Sequence, residues 1–382
     1  MKILFCNYEY PPLGGGGGVI NAMLAEELSK RHEVTVLTSS GSSSLEDYVV
    51  NGVRVVRVPV YVRTEQAAAN FPSMAAYMIN GVRYGKGLMD KEQFDVINTH
   101  FALPTGPVGN ALAKYSGLPN VLSVHGGDLY DPSKFTSPHR HWLLRTWVKS
   151  LLRKSSAIVC QSNDTVENVG RYYDRLLETE LIPHGIHRPQ YAEKTREELK
   201  LNNDDIILST VGRLVSRKGL NRLLEIVSRI SEPKLKLLII GNGPLEQELR
   251  EQVSQLGIID KVVFCGFVDE DRKYQLLKVS DIYVSTSQHE GFGLVFLEAM
   301  STGLPIVCYD HGGQKDFLAH NETGGLLPLN DEAGFERSLA DLLSDRVRCK
   351  NIGMQNEQKA EDYYIDSCGA DYETLFRSLV PE

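Results

Sequence analysis

The sequence predicts an α/β protein of two domains, each with a parallel β-sheet covered by helices. Three observations lead to this prediction. Short apolar runs alternate with amphipathic stretches, the alternation starts again after residue 200, and the 382-residue chain exceeds the size at which one hydrophobic core keeps growing. Hydrophobic residues make up 42% of the chain and charged residues 24%, as in ordinary globular domains. We therefore expect two domains of roughly 180 residues each.

The predicted strands form two series along the chain. In the first half the apolar runs are Ile3–Cys6, Val34–Thr38, Val53–Val58, Asp95–Thr99, Val121–Val124 and Ala157–Cys160. In the second half they are Ile206–Val211, Leu235–Ile240, Val262–Phe264, Ile282–Ser285, Ile306–Cys308 and Gly325–Leu327. Because helical spacing separates the runs within each series, each series predicts one parallel sheet.

The domain boundary is expected after Ile186, where the run that begins at Leu181 ends. The charged stretch 187–205 contains turn residues, as linkers do. We expect an N-terminal domain over 1–186 and a C-terminal domain over 187–356. The remaining segment, 357–382, has helical spacing and is expected to fold back on the N-terminal domain.

Charge and apolar patterning exclude several classes of protein. The formal net charge of −8 argues against general nucleic-acid binding, which requires a basic surface. The six cysteines include no C-x-x-C pair, so buried reduced thiols are expected. Only four apolar residues lie between Lys2 and Asn7, too few for a signal peptide, and no run approaches the roughly 18 apolar residues of a membrane span. We expect a cytoplasmic protein that is able to lie on a membrane surface.

A glycine run follows the first predicted strand. Gly14 to Gly18 lead into a helix that we expect to begin near Val19. Bare amides and a helix dipole at such a junction form an anion site, so the run predicts a phosphate site, with a plain flexible loop as the alternative. A dinucleotide-binding oxidoreductase is disfavoured, because the G-x-G-x-x-G pattern would place Val19 or Ile20 at its last glycine. The second predicted strand also ends without the required acid.

Two cations follow the first strand of the second half. Gly212 and Arg213 end that strand, and Lys218 opens the next predicted helix. Arginine binds phosphate oxygens as a fork and lysine binds them as a point charge, so the pair can stabilise a diphosphate leaving group without a metal. The alternative is a pair of solvated surface cations.

Two acids separated by seven residues form the most specific pattern. Glu290 precedes the turn Gly291-Phe292-Gly293, and Glu298 lies on the helix that follows. This spacing can direct the two carboxylates to different parts of one polyhydroxylated ligand, such as a sugar joined to a ribose. The alternative for Glu298 is an ordinary acid on a helix surface.

These motifs resemble glycosyltransferase family 4, and the resemblance spans nearly the whole chain. The glycine run, the Arg213/Lys218 pair and the Glu290/Glu298 pair take part in it. Further motifs in the same order are Asp95–His100, His125–Asp128, Ala157–Ser162, Gly241–Pro244, Gly312-Gly313 and Asn321–Pro328. The sequence departs from the family pattern at Asp316, where a glutamate is common, and we assign Asp316 no role.

The resemblance implies a GT-B fold of two facing Rossmann-like domains, with the donor bound mainly by the C-terminal domain and the acceptor mainly by the N-terminal one. It implies a retaining enzyme of the hexosyltransferase type that uses a nucleotide-diphosphate sugar as substrate, without a cofactor or metal. The expected acceptor is a cell-envelope glycan, a glycolipid or a lipid-linked saccharide. No nucleic-acid partner is expected, and the oligomeric state is left open.

The resemblance also implies site residues. Arg213 and Lys218 resemble the diphosphate clamp, Glu290 the carboxylate that contacts the transferred sugar, and His125 a residue near the reacting bond. The donor-binding residues are Gly16, Gly17, Gly212, Gly241, Asn242, Gly243, Phe292, Gly293, Leu294 and Glu298. His100 and Asp128 follow strand ends, where ligands of parallel sheets collect, and are assigned to the acceptor side.

The expected mechanism is front-face substitution. Glu290 and Glu298 are better donor ligands than a pair of glycosidase carboxylates, which would flank the anomeric carbon. On chemistry alone, His125 could instead be a general base or a structural histidine. Among alternative functions, a nucleotide-sugar epimerase would consume donor without an acceptor, and a non-catalytic sensor would bind donor without turnover.

A basic segment interrupts the acidic chain. From Pro132 to Asn163 there is no acid, and both tryptophans, Trp142 and Trp147, lie within this stretch. Its cations are Lys134, Arg140, Arg145, Lys149, Arg153 and Lys154. The helical pattern over 140–154 fits peripheral contact with an anionic membrane, and it equally fits a helix that covers the sheet with its apolar arc.

Overall fold

The computed structural model describes residues 1–60, 70–132 and 134–380. The chain divides into two compact units. Unit 1 comprises Met1–His187 and Tyr364–Glu382, and unit 2 comprises Arg188–Tyr363. Each unit has its own β-sheet, and every pairing in the two sheets is parallel except for one edge strand. The α/β prediction is therefore confirmed.

Unit 1 has an eight-stranded sheet within its described residues. The strands are β1 (Lys2–Cys6), β2 (Glu33–Ser39), β3 (Glu46–Val50), β4 (Val53–Val58), β5 (Val96–His100), β6 (Asn120–Val124), β7 (Ala157–Cys160) and β8 (Glu180–Leu181), in the order β3-β4-β2-β1-β5-β6-β7-β8. Its first five helices are α1 (Gly16–Ser29), α2 (Phe71–Met89), α3 (Thr105–Ser116), α4 (Trp142–Lys154) and α5 (Asn163–Tyr172). Alternate residues of β1 pack on opposite faces, since Phe5 joins Leu24 and Leu28 of α1, whereas Leu4 joins the cluster of Tyr77 and Leu112.

Unit 2 has a six-stranded parallel sheet. Its strands are β9 (Ile206–Val211), β10 (Leu235–Ile240), β11 (Val262–Gly266), β12 (Ile282–Ser285), β13 (Ile306–Tyr309) and β14 (Gly324–Leu327), in the order β11-β10-β9-β12-β13-β14. The helices are α6 (Leu220–Arg229), α7 (Glu246–Gln255), α8 (Glu270–Lys278), α9 (Leu294–Met300), α10 (Glu332–Ser344) and α11 (Arg346–Ala360). Leucine, isoleucine and valine side chains from the strands and from α6 and α10 form its main core.

The last helix, α12 (Ile365–Leu379), belongs to unit 1, where it contacts α1. Ile365, Tyr372 and Phe376 are buried against the same core cluster as Phe5 of β1. Gly185 lies so close to this helix that a Cβ atom there would be 2.5 Å from the Ile365 Cα. The expectation that the C-terminal segment packs back on the first domain is confirmed.

Three elements differ from the sequence-based expectation, and one of them is β8, whose two exposed residues form no apolar run. Helix α1 begins at Gly16 rather than near Val19, because Gly15 is its extended N-cap and the glycines form the first turn. Strand β3 was not predicted. It pairs antiparallel with β4 through the turn Asn51-Gly52, and all its residues are exposed, so it lacks the alternating apolar pattern that marks a half-buried strand. Within the described ranges, no helix is both long and apolar enough to cross a bilayer.

Candidate active site

The predicted site residues of unit 2 meet at the carboxyl ends of its central strands. Gly212 and Arg213 follow β9, and Glu290 lies in the loop after β12, beside β9 in the sheet. Lys218 Nζ lies 2.6 Å from Glu290 Oε1, and Arg217 Nη1 lies 3.0 Å from Glu290 Oε2. The Ser287 hydroxyl also donates to Glu290 Oε1, at 2.7 Å. Glu290 therefore has two cations and a hydroxyl as partners.

The environment of Glu290 keeps it charged. Burial alone would raise the pKa of this carboxyl, but the charges of Lys218 and Arg217 and the hydrogen bonds from Lys218 and Ser287 hold its pKa well below the ordinary value. Arg217 also donates to the His289 carbonyl, which fixes its guanidinium across the loop. Because breaking a buried ion pair leaves an uncompensated charge, this cluster is a costly arrangement to disturb.

Arg213 differs from Lys218 in its surroundings. Its side chain is exposed and forms no ion pair or hydrogen bond with any residue in the described ranges. Gly212 beside it has φ +154°, and a Cβ atom there would lie 3.0 Å from the Lys218 Cε. The structure thus brings Gly212 and Lys218 into contact and leaves the Arg213 guanidinium available to a ligand.

Glu298, the second acid of the pair, has its own cation. It lies on α9, and its Oε1 atom is 2.9 Å from Lys273 Nζ of α8, which also pairs with Glu270. Burial raises the pKa of Glu298, and Lys273 opposes that shift. Glu290 therefore has Lys218, Arg217 and Ser287 as partners and Glu298 has Lys273, while the charge of Lys218 also acts on Glu298.

The glycine turn after β10 allows backbone to pack against backbone. A Cβ atom on Gly241 would lie 2.1 Å from the Gly212 carbonyl oxygen, and one on Gly243 would lie 2.5 Å from the Leu214 oxygen. Asn242 is exposed between them, and its carbonyl accepts a hydrogen bond from the Leu214 amide. These residues hold the Gly212–Leu214 loop in place.

The Gly-Phe-Gly turn positions α9. The Phe292 side chain is buried against Phe317 and Tyr363, with ring centroids 5.3 and 6.4 Å apart. Gly293 is the N-cap of α9 with φ +97°, and Leu294 is the first residue of that helix. Because the Phe292 ring is packed into the core, only its backbone is left to face a ligand.

In unit 1 the glycine run lies at the carboxyl end of β1. Gly16 and Gly17 are the first residues of α1, so their N–H groups have no acceptor within the helix. A Cβ atom on Gly16 would meet open space, whereas one on Gly17 would lie 2.4 Å from the Phe101 ring. Phe101 has φ +72° and stacks on His125 at a centroid distance of 4.2 Å. Glycine at position 17 thus makes room for an aromatic ring that packs against the predicted site histidine.

The two predicted histidines of unit 1 touch one another. His100 Nδ1 lies 3.0 Å from His125 Nε2, and His100 is fully buried. The Asp128 carboxylate accepts hydrogen bonds from the backbone amides of Ala102 at 2.7 Å and of His125 at 2.8 Å. His100 therefore bonds the ring of His125, Asp128 bonds its backbone amide, and both side chains are occupied by protein contacts.

Sequence reasoning missed Arg217, Ser287, Lys273 and Phe101. Arg217 directly precedes Lys218, so an unusual pair of adjacent cations was the available signal. Phe101 carries no sequence signal, because its role depends on a positive φ angle and on the space above Gly17.

The larger of two cavities in unit 2 lies away from the predicted site residues, and the smaller one is lined by them. Among the described residues, no three His, Cys, Asp or Glu side chains are grouped so as to hold a metal ion. A cavity of about 270 Å³ opens at the opposite, amino-terminal edge of the unit 2 sheet, where Arg196 already pairs with Asp281. A smaller cavity is lined by Gly212, Arg213 and Lys218 and coincides with the cation cluster.

Comparison with known proteins identifies the family. Residues 14–188 match the model described as Glycosyltransferase Family 4, and residues 192–359 match Glycosyl transferases group 1. An uncharacterized glycosyltransferase of Methanocaldococcus jannaschii is 32% identical over 89% of this chain and 90% of its own length. A UDP-Gal:alpha-D-GlcNAc-diphosphoundecaprenol alpha-1,3-galactosyltransferase of Escherichia coli is 25% identical over 96% of this chain and 97% of its own.

Solved structures share the fold. Sucrose-phosphate synthase from Thermosynechococcus elongatus aligns with a TM-score of 0.86 at 21% identity, covering 99% of both chains. Anabaena HepE in complex with UDP aligns with a TM-score of 0.77 at 19% identity, covering 99% of this chain and all of that one. With its two parallel α/β sheets and these matches, the chain belongs to the group 1, family 4 glycosyltransferases of the GT-B fold.

Proposed function

We propose that this glycosyltransferase moves a sugar from a nucleotide diphosphate to an acceptor hydroxyl with retention of anomeric configuration, and that unit 2 binds the donor. The observation that carries the proposal is that Lys218 and Arg217 contact Glu290 at the strand ends, and that exposed Arg213 lines the same small cavity as Lys218. A diphosphate needs fixed cations where its charge develops, and this cluster supplies them. The Escherichia coli relative is named for a UDP-Gal donor and the Anabaena protein was solved with UDP, and both support a nucleotide donor.

The ion pair between Lys218 and Glu290 suggests how the donor would be recognised. Without donor, Lys218 neutralises Glu290. An arriving diphosphate offers Lys218 a second anion, and Arg217 keeps Glu290 charged while Lys218 turns to the phosphate. Glu290 is then left to accept hydrogen bonds from hydroxyls of the transferred sugar, and Glu298 with Lys273 is assigned to the ribose.

The chemical step needs no protein nucleophile in this scheme. The bond between the anomeric carbon and the diphosphate oxygen breaks, and the acceptor oxygen forms its bond on the same face. The acceptor hydroxyl passes its proton to the departing diphosphate oxygen. Arg213 and Lys218 of unit 2 are assigned to hold the developing negative charge.

A donor panel tests the proposal. UDP, GDP and ADP sugars are added in turn to the purified protein, and the melting temperature and the release of nucleoside diphosphate are measured. We expect the sugars of one nucleotide base to raise the melting temperature, because a ligand that binds only the folded state stabilises it. We expect the same donor to release its nucleoside diphosphate. No stabilisation and no release with any donor would contradict the proposed function.

We further propose that the acceptor is lipid-linked and that the surface of α4 brings the enzyme to an anionic membrane. One side of α4 is buried through Val148, Leu151 and Leu152, as expected for a helix that covers the sheet. The outer part remains apolar, because Trp142 is 70% exposed, and Leu143, Trp147 and the nearby Phe135 are exposed as well.

Positive charges near the exposed side of α4 also favour binding to an anionic membrane. Arg145 and Arg140 are exposed beside the tryptophans, and residues 134–163 contain no acid. Lys149 and Arg153 are less available, because both pair with Asp174, which follows α5. Aromatic side chains with adjacent cations are suited to the interface of an anionic bilayer. The diphosphoundecaprenol in the name of the Escherichia coli relative favours a lipid-linked acceptor.

A further inference from the structure

We infer that Asn98 and His100 are positioning residues that fix the tautomer of His125, so that its Nδ1–H is presented to the substrate as a hydrogen-bond donor. A chain of hydrogen bonds within unit 1 carries this inference, and its last step, toward substrate, rests on the proposed function.

The chain of hydrogen bonds runs from Tyr372 of α12 to His125. The Tyr372 hydroxyl of α12 lies 2.9 Å from the Ser123 hydroxyl of β6, which donates to Asn98 Oδ1 at 3.5 Å. Asn98 Nδ2 then lies 2.9 Å from His100 Nε2, and His100 Nδ1 lies 3.0 Å from His125 Nε2. Tyr372, Ser123, Asn98 and His100 are all buried.

The donor and acceptor atoms of these side chains decide in which direction each hydrogen bond of the chain is donated. An amide nitrogen only donates, so His100 Nε2 must accept from Asn98. A neutral imidazole that accepts at one nitrogen carries its proton on the other, so His100 Nδ1–H donates to His125 Nε2. His125 then carries its own proton on Nδ1. That atom is buried and has no hydrogen-bond partner among the described residues.

Burial keeps the imidazoles neutral, as this assignment requires. It lowers the pKa of His125 to about 3 and places those of His100 and the neighbouring His184 well below their ordinary value. Phe101 stacks on the His125 ring at 4.2 Å and holds its plane. With Nε2 occupied and Nδ1 protonated, His125 has no lone pair to take a proton. It can donate a hydrogen bond to a substrate oxygen, and it cannot act as the general base.

The opposite direction is chemically defined and can be excluded by measurement. If the Asn98 amide were reversed, its oxygen would accept from His100 Nε2–H, and His125 would donate through Nε2. His125 Nδ1 would then be a free acceptor. The two directions differ in the orientation of the Asn98 amide and in which nitrogen of each ring is protonated.

The test is the nitrogen-15 NMR spectrum of the histidine rings in the ligand-free protein, assigned with a His125→Asn variant. We expect His125 to be protonated at Nδ1 and to stay neutral from pH 7.5 to pH 5. The Asn98→Leu variant removes the amide that sets the direction, so it should populate both tautomers of His125. It should also slow release of nucleoside diphosphate roughly tenfold, which corresponds to one hydrogen bond.

The control is the Asn120→Leu variant. Asn120 is a buried asparagine on β6 whose side chain bonds Thr99 and Asn110, and it takes no part in the hydrogen-bond chain that leads to His125. It should leave the tautomer of His125 unchanged. Protonation of wild-type His125 at Nε2 would overturn the inference, and so would an Asn98→Leu variant with an unchanged tautomer. Since the NMR measurement needs no turnover, an Nδ1-protonated His125 in a protein that uses no nucleotide sugar would contradict the proposed function alone.

Discussion

At the scale of single residues, Glu290 shows how a buried acid is kept ready for a ligand. Two cations and one hydroxyl surround its carboxylate, and its low pKa means that acidification removes their stabilisation only well below neutral pH. Glu298 has the opposite bias, since burial raises its pKa and the charges of Lys273 and Lys218 only partly oppose the shift. The two acids of the Glu-x7-Glu pattern are therefore chemically distinct.

This difference predicts separate effects of substitution. Glu298→Ala should mainly weaken binding of the free nucleoside diphosphate, because Glu298 is assigned to the ribose. Glu290→Ala should mainly reduce turnover of the intact donor, by roughly a hundredfold if about 3 kcal/mol of transition-state contact is lost. Calorimetric titration of the diphosphate and the turnover rate of the donor measure the two effects. The division of roles is wrong if Glu290→Ala weakens diphosphate binding as much as Glu298→Ala does.

The sequence identified many of the residues at the carboxyl strand ends and missed their partners. Lys218 and Glu290 could be assigned from motif spacing, but their direct contact depends on β9 and β12 being neighbours in the sheet. His100 followed a strand end and was assigned to the acceptor side. In the structure it is buried with both ring nitrogens bonded, which no pattern in one strand could indicate.

At the scale of elements, apolar periodicity predicted the buried strands and failed for exposed ones. Strands such as β1 and β9 are buried on both faces and appear as continuous apolar runs, whereas β3 is exposed along its length. Helix α4 has a buried and an exposed side, because one side covers the sheet and the other leaves Trp142 and Trp147 at the surface. Periodicity gives the apolar arc of such a helix but not how much of it a neighbour covers.

The exposed side of α4 predicts membrane binding. Combining Trp142→Ala, Trp147→Ala and Arg145→Gln should greatly weaken binding to anionic vesicles, since each lost cation costs about 1 kcal/mol at such a surface and the aromatic area is lost as well. Added salt should weaken the wild-type interaction. Vesicle co-sedimentation and transfer to membrane-extracted acceptor measure the effect, and hydrolysis of the donor by water should not change.

Phe71→Ala with Ile79→Ala is the matched control, because both residues are about 70% exposed on α2. This control should bind vesicles as the wild type does. Equal binding by the α4 variant would reduce that surface to a solvated helix face.

At the scale of the whole molecule, the central claim is that fixed cations of unit 2 stabilise the leaving diphosphate. Lys218 is an imperfect probe of this claim, because its removal also leaves buried Glu290 with one cation fewer. Arg213 is a better probe, since its exposed side chain forms no ion pair with a described residue. Its replacement should change catalysis without changing the melting temperature. Arg337→Ala, at an exposed arginine of α10 in the same unit, is the matched control.

The most direct measurement is therefore the rate of nucleoside diphosphate release from the cognate nucleotide sugar by wild type, Arg213→Ala and Arg337→Ala, all in the presence of EDTA. We predict that the wild type and the control turn over at equal rates without a divalent metal. Arg213→Ala should be roughly a hundredfold slower at an unchanged melting temperature. A normal rate in Arg213→Ala, or a wild type that loses activity in EDTA and recovers with Mg²⁺ or Mn²⁺, would contradict the account.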